Sequence, residues 1–189
     1  MNINQIQQVS AILITKEKEY PERVLKHVES FCFGEIIICT GCNGIYARFI
    51  QEPLFKDVYV QDDDCIPQLD KIFEEYDGEV LTCGMTPHHN EFYANSKICL
   101  IGHGAFFPKK RIAVVEKYKL LFGMDDDYLI ETDRIFTFFN FPQKRLSLSV
   151  IHLPSSYDND RLSMRKDHYI NLYKIEKKLI EFNAGFTIY

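Results

Sequence analysis

Apolar positions in this chain gather into short dense runs in its first half, separated by segments with helical spacing. Residues 9–15 (Val-Ser-Ala-Ile-Leu-Ile-Thr) are almost continuously apolar, the mark of a strand covered on both faces. Residues 16–20 are a polar loop. Pro21 suits a first helical turn, and Val24, Leu25, Val28 and Phe31 follow at helical spacing. Residues 35–39 (Glu-Ile-Ile-Ile-Cys) predict a second buried strand, closed by a loop containing Gly41, Asn43 and Gly44. Ile45, Phe49 and Ile50 then predict a short helix. Residues 58–60 predict a third strand that runs into Gln61-Asp62-Asp63-Asp64. Pro67 opens a helix carrying Leu69, Ile72 and Phe73 on one face, and residues 79–83 predict a fourth strand.

The pattern then loosens. Residues 97–101 and 104–107 read as strands paired through Gly102-His103. Pro108 opens a helix that reaches Phe122 and stops at Gly123. A second helix is expected over 132–139 with Thr132 as its cap, a last strand over 146–152, and a charged helix over 166–182. Strand and helix alternate in the first half, which argues for parallel pairing with helices on both faces. The departure from strict alternation later makes the expected fold α/β with a mixed, mostly parallel sheet. No repeat, linker or low-complexity stretch interrupts the chain, so one domain over 1–189 is expected. Ligands of open α/β sheets bind beyond the carboxyl ends of the strands, so the loops after the first three strands should border one crevice.

Composition narrows the class. The 189 residues are 46% hydrophobic, with fifteen Phe and eleven Tyr, which supports a sizeable core and excludes a disordered segment. No apolar run approaches the roughly 20 residues of a spanning helix, and the N-terminus lacks a basic start followed by an apolar stretch. A soluble, cytoplasmic protein with no membrane span is therefore expected. A formal net charge of −5 argues against broad phosphate-backbone binding as the main activity. Of the six cysteines, Cys32, Cys39, Cys65, Cys83 and Cys99 lie in or beside apolar stretches, as small buried hydrophobes do. The single CxxC, Cys39-Thr40-Gly41-Cys42, has no second CxxC to complete a zinc site, and His88-His89 would complete one only by an accident of the fold, so reduced thiols are expected.

The most informative segment is Tyr59-Val60-Gln61-Asp62-Asp63-Asp64-Cys65-Ile66-Pro67. Three adjacent carboxylates repel one another, and packing gains nothing from gathering them at a strand end. In an extended chain alternate residues point the same way, so Asp62 and Asp64 would reach one point together. That suits Mg²⁺ or Mn²⁺, whose other positions are filled by water and phosphate oxygens. The competing reading is a solvated turn with a carboxylate at a helix start. The position directly after a buried strand favours the metal.

With these segments in order, the sequence resembles the GT-A class of nucleotide-sugar-dependent glycosyltransferases, in particular its small phage and bacterial members. The matching parts are the opening strand ending Ile14-Thr15-Lys16, Asp62-Asp63-Asp64 in the place of the DxD motif, and Gly102-His103-Gly104-Ala105-Phe106-Phe107 in the place of the acceptor-side glycine segment. Glu131-Thr132-Asp133-Arg134 and a late strand ending Val150-Ile151-His152 follow, so the resemblance covers roughly residues 9 to 170.

The resemblance implies a Rossmann-like GT-A fold and a sugar transferred from a nucleoside diphosphate to a hydroxyl acceptor: a glycan, a protein or a modified phage DNA base. Thr15, Lys16, Arg48, Gln61, Asp62 and Asp63 are then the expected donor-binding residues. Asp62, Asp64 and His152 are the metal ligands, and Gly102, His103 and Gly104 lie on the acceptor side. His152 fits the class's C-terminal metal histidine better than His168, and a hydrogen-bonded rim histidine is its other reading. An inverting reaction needs a general base, for which Glu131 and Asp133 fit best. Asp125 to Asp127 read as a solvated acidic loop after a helix-ending glycine, with a second metal-binding DDD as the other reading. Arg161 and Arg165 are further basic candidates, and residues 155–160 have the composition of a surface loop or lid. The alternatives are a binding module with this fold and no turnover, and a sugar nucleotidyltransferase. The latter would normally show a glycine-rich phosphate loop, which Lys16-Glu17-Lys18-Glu19 lacks.

Overall fold

A computed structural model of the chain describes residues 3–41, 45–122, 126–153 and 174–181. The chain forms two compact units, Met1–Leu153 and Pro154–Tyr189. In the second, the described residues 174–181 are helical, within the helix expected over 166–182.

The first unit is built on a six-stranded sheet. Its strands are β1 (Val9–Ile14), β2 (Glu35–Cys39), β3 (Asp57–Gln61), β5 (Thr82–Met85), β6 (Ala105–Pro108) and β7 (Lys144–Ser147). Two short strands, β4 (Cys65–Pro67) and β8 (Val150–His152), pair with each other in a separate antiparallel ribbon. The helices are α1 (Glu22–Glu29), α2 (Leu69–Glu75), α3 (Pro87–Phe92), α4 (Ala113–Phe122) and α5 (Asp126–Phe139). The sheet order is β2-β1-β3-β6-β5-β7, and β6 is antiparallel to both neighbours while all other pairings are parallel. The mixed, mostly parallel α/β sheet flanked by helices is thus present.

Side-chain alternation on the central strands divides the core into two layers. On β6, Phe106 packs against Tyr59, Phe73 and Tyr76, with ring centres 4.7, 5.3 and 5.5 Å away. Its neighbour Phe107 points to the other face and meets Phe136 of α5 at 4.7 Å. Phe136 also reaches Phe49, at 4.9 Å, in a 3₁₀ turn spanning Ile45–Phe49. Thus α5 covers this turn, which fixes where its neighbour Arg48 must lie.

Several local expectations are corrected. β2 is an edge strand rather than a buried one, and Ile38 is exposed. Pro67 ends β4 instead of opening a helix, and α2 starts two residues later. The fourth strand falls at Thr82–Met85, and residues 97–101 form no strand. Thr132 lies inside α5, which begins at Asp126, so Asp126 and Asp127 are helical rather than loop. The single late strand is divided into β7 and β8. Among the described residues no helix is long and apolar enough to cross a membrane.

Candidate functional site

From β1 the chain first enters β2 on one side and later β3 on the other, so the sheet's switch point lies at β1. Beyond the carboxyl ends of such strands is the place for a ligand. The β1–β3 register pairs Leu13 with Gln61, which brings Thr15 level with Asp63. The Thr15 hydroxyl donates to Asp63 Oδ2 and accepts from the Glu17 N–H at 3.1 Å. Burial raises the Asp63 pKa and the Asp62 charge adds to this, against the Thr15 hydrogen bond.

β6 runs against its neighbours, so the segment that enters it, Gly102 to Gly104, reaches this same edge. The Asp62 N–H donates to the Gly102 carbonyl at 2.8 Å. A Cβ on Gly102 would stand 1.9 Å from Asp62 Oδ2, so glycine alone leaves room for that carboxylate. Gly104 has φ +99°, a conformation that favours glycine, and turns the chain into β6.

Asp62 to Asp64 are not extended. β3 stops at Gln61, and Asp63 and Asp64 form a turn. The expected alternation of Asp62 and Asp64 therefore does not arise. Four contacts fasten the turn. Gln61 Nε2 donates to the Cys65 carbonyl at 2.8 Å, the Leu153 N–H donates to the Asp64 carbonyl at 2.7 Å, and the Tyr20 hydroxyl donates to the Asp62 carbonyl at 3.3 Å. Gln61 also accepts from the Tyr59 hydroxyl at 2.6 Å. Expected at the donor, Gln61 is instead wholly buried with both ends of its amide used in shaping the turn. Cys65 is buried with its thiol pKa raised, and its Sγ donates to the Gly102 carbonyl, as expected of an inert thiol.

The centre of the site is an ion network. Arg48, only 1% exposed, donates from Nη2 to Asp62 Oδ1 at 2.5 Å, and its Nη1 lies 3.4 Å from Asp133 Oδ2. One guanidinium thus faces two carboxylates in a water-poor setting. Burial raises the Asp133 pKa to about 7; Arg48 opposes this, while the Asp62 and Glu131 charges reinforce it. Arg48 Nε and Asp133 Oδ1 are buried without a hydrogen-bond partner. Glu131, the other expected base, is ion-paired with Arg134 on the same helix. Both acids lie within α5 rather than at a helix start. Lys16 is exposed just past β1.

Beside Asp62 stands a row of histidines. The His103 ring is 4.9 Å from that of His152 and 5.1 Å from that of His89, edge to face in both cases. Burial lowers the His103 pKa to about 4; Asp62 pulls it upward, while His152 and His89 push it further down. His103 is therefore neutral at pH 7. Thr86 caps α3 and its hydroxyl lies 2.7 Å from His89 Nδ1.

A hard divalent cation at a diphosphate needs only one or two protein carboxylates, because waters and phosphate oxygens supply the rest. Asp64, partly exposed in the turn, meets that requirement, whereas the Asp62 carboxylate is taken up by Arg48 and packed against Gly102. Among the described residues no three His, Cys, Asp or Glu side chains are already placed to hold a metal. The donor set therefore fits a cation that comes with its phosphate ligand, not a preformed protein cage.

The site thus gathers Thr15, Arg48, Asp62, Asp63, Asp64, Gly102, His103, Asp133 and His152 at one unit's edge. His168, Arg161, Arg165, Asp125, Cys42 and the loop 155–160 lie outside the described residues. Sequence reasoning missed Tyr20, and named His89 only as a chance donor to a zinc site at the CxxC, not beside the aspartates. The Thr86-Pro87 pair, a cap followed by proline in the first turn, was the available signal for α3 and hence for His89. The sequence matches no known family model and no curated protein.

Proposed function

We propose that this protein is a metal-dependent glycosyltransferase that moves a sugar from a nucleoside diphosphate to a hydroxyl acceptor. The observation that carries the reading is the three-aspartate turn fastened at the carboxyl edge of β3, joined through Thr15 and Asp63 to β1 at the switch point of the sheet. Mn²⁺ or Mg²⁺ supplies Lewis-acid stabilisation of the leaving diphosphate when bound, and Asp64 is the residue to hold it.

The chain's own groups do the remaining work. Asp63 and Thr15 position the nucleoside between the ends of β1 and β3. Arg48 holds Asp62 in one orientation through a charge-assisted hydrogen bond. Asp133, with its pKa near neutrality, is suited to take the acceptor proton in an inverting reaction. Gly102 leaves room for the Asp62 carboxylate, and Gly104 turns the chain into β6 beside it. The acceptor classes are a glycan, a protein or a modified DNA base, with the acidic net charge weighing against DNA.

A second reading, a binding module without turnover, is favoured by one observation: Asp62 is already neutralised by a buried arginine. A thermal-shift panel of UDP-, GDP-, CDP- and dTDP-sugars, with and without Mn²⁺, tests binding on wild type and Asp64→Asn. A metal-dependent rise for one nucleotide, absent in the variant, supports the donor site. Release of the nucleoside diphosphate from that sugar, lost in Asp133→Asn, separates transfer from binding alone. No shift with any nucleotide in folded protein would remove the proposal.

A further inference from the structure

We infer that His89, His103 and His152 form a separate imidazole site for a borderline transition-metal ion such as Zn²⁺ or Co²⁺. Three distant parts of the chain bring them together: His89 from α3, His103 from the segment entering β6, and His152 from the end of β8. Imidazoles that share one four-coordinate ion at about 2.0–2.1 Å from the metal have ring centres roughly 5 Å apart. The observed spacings about His103 are 5.1 and 4.9 Å.

Each ring has a distinct part. His103 is 6% exposed, and its Nδ1 is buried with no hydrogen-bond partner, a condition that protein interiors rarely leave unexplained. His89 is oriented by the Thr86 hydroxyl at Nδ1, which leaves Nε2 for another ligand and resembles the outer-sphere contact that steadies metal-binding histidines. His152 is exposed. As they stand the three side chains are not placed to hold an ion together, so an ion held by all three requires His152 to turn about its side chain. Nitrogen donors select Zn²⁺ and Co²⁺ over Mg²⁺, which distinguishes this position from the carboxylate position at Asp64. A bound ion would tie β8 and α3 to the Gly102–Gly104 segment and so hold the aspartate turn from its open side.

The test uses tag-free, metal-stripped full-length protein titrated with Co²⁺ alone, followed by its visible absorption, with Zn²⁺ added in competition. The expected result is one equivalent bound with the intense band of four-coordinate Co²⁺, displaced by Zn²⁺. His152→Ala and His89→Ala, both outside the core, each weaken binding by at least about tenfold, while Asp64→Asn leaves it unchanged. No binding to the wild type overturns the inference. So does weakening in Asp64→Asn with none in either histidine variant. No nucleotide enters this experiment, so its failure leaves the proposed donor site standing.

Discussion

Replacing Asp133 with asparagine isolates the electrostatics of the buried network. In the unfolded chain an aspartate loses its proton near its ordinary value of 3.8, whereas Asp133 in the folded protein keeps it until about pH 7. Between these values the folded state binds more protons, so stability falls as pH rises. The contribution is complete below pH 3.8 and is lost as pH rises through 7. At 1.36 kcal/mol per unit, the full span is worth roughly 4 kcal/mol, of which about 2–3 kcal/mol falls between pH 5 and pH 8. Asparagine keeps the shape and carries no titrating proton. Urea unfolding of wild type and Asp133→Asn at pH 5 and pH 8 therefore measures the difference directly, because all other titrations nearly cancel. The variant should gain about 2–3 kcal/mol relative to wild type on going from pH 5 to pH 8. A change within about 0.5 kcal/mol, the usual scatter of such comparisons, would refute the assignment of a raised pKa to Asp133.

Arg48→Met should cost about 3–5 kcal/mol in urea unfolding, because Asp62 and Asp133 lose the cation they share; adding Asp133→Asn should recover part of that loss. Gly102→Ala should drive the Asp62 carboxylate off its seat and away from Arg48, at about 1–3 kcal/mol, and should weaken any nucleotide-induced thermal shift. Thr15→Val removes the donor to Asp63 and should cost about 1–3 kcal/mol at pH 8, measured by the same unfolding curves. Phe106→Ala, at the junction of four aromatic rings, should cost about 3–5 kcal/mol by thermal or urea unfolding.

β1, β2 and β3 were legible because their apolar runs are dense and each is bounded by a clear polar or glycine-containing segment. Pro67 misled because proline is tolerated both at a helix start and at the end of a short ribbon strand, and only the pairing with Val150 decides between them. Thr132 looked like a cap because the acidic residues before it suit a loop equally well; the helix that runs through it is held by Phe136 packing on Phe49 and Phe107. The DDD segment could be read as a site, but not as a turn, since its shape depends on Gln61, Tyr20 and Leu153 reaching it from three directions. Nor does any local pattern announce that Arg48 is wholly buried. That follows from α5 lying across the 3₁₀ turn, a contact between residues more than eighty positions apart.

The β4–β8 ribbon has a consequence for the order in which the protein is made. Cys65 pairs with His152, 87 residues further along, which is about 4–17 s of ribosomal synthesis at about 5–20 residues per second. During that interval the segments of β1, β2 and β3 have been synthesised, while the aspartate turn still lacks the Leu153 N–H that fastens it. The site edge is thus among the last parts of its unit to be completed, and a chain released before residue 150 would keep the parallel strands without the clasp that shapes the turn.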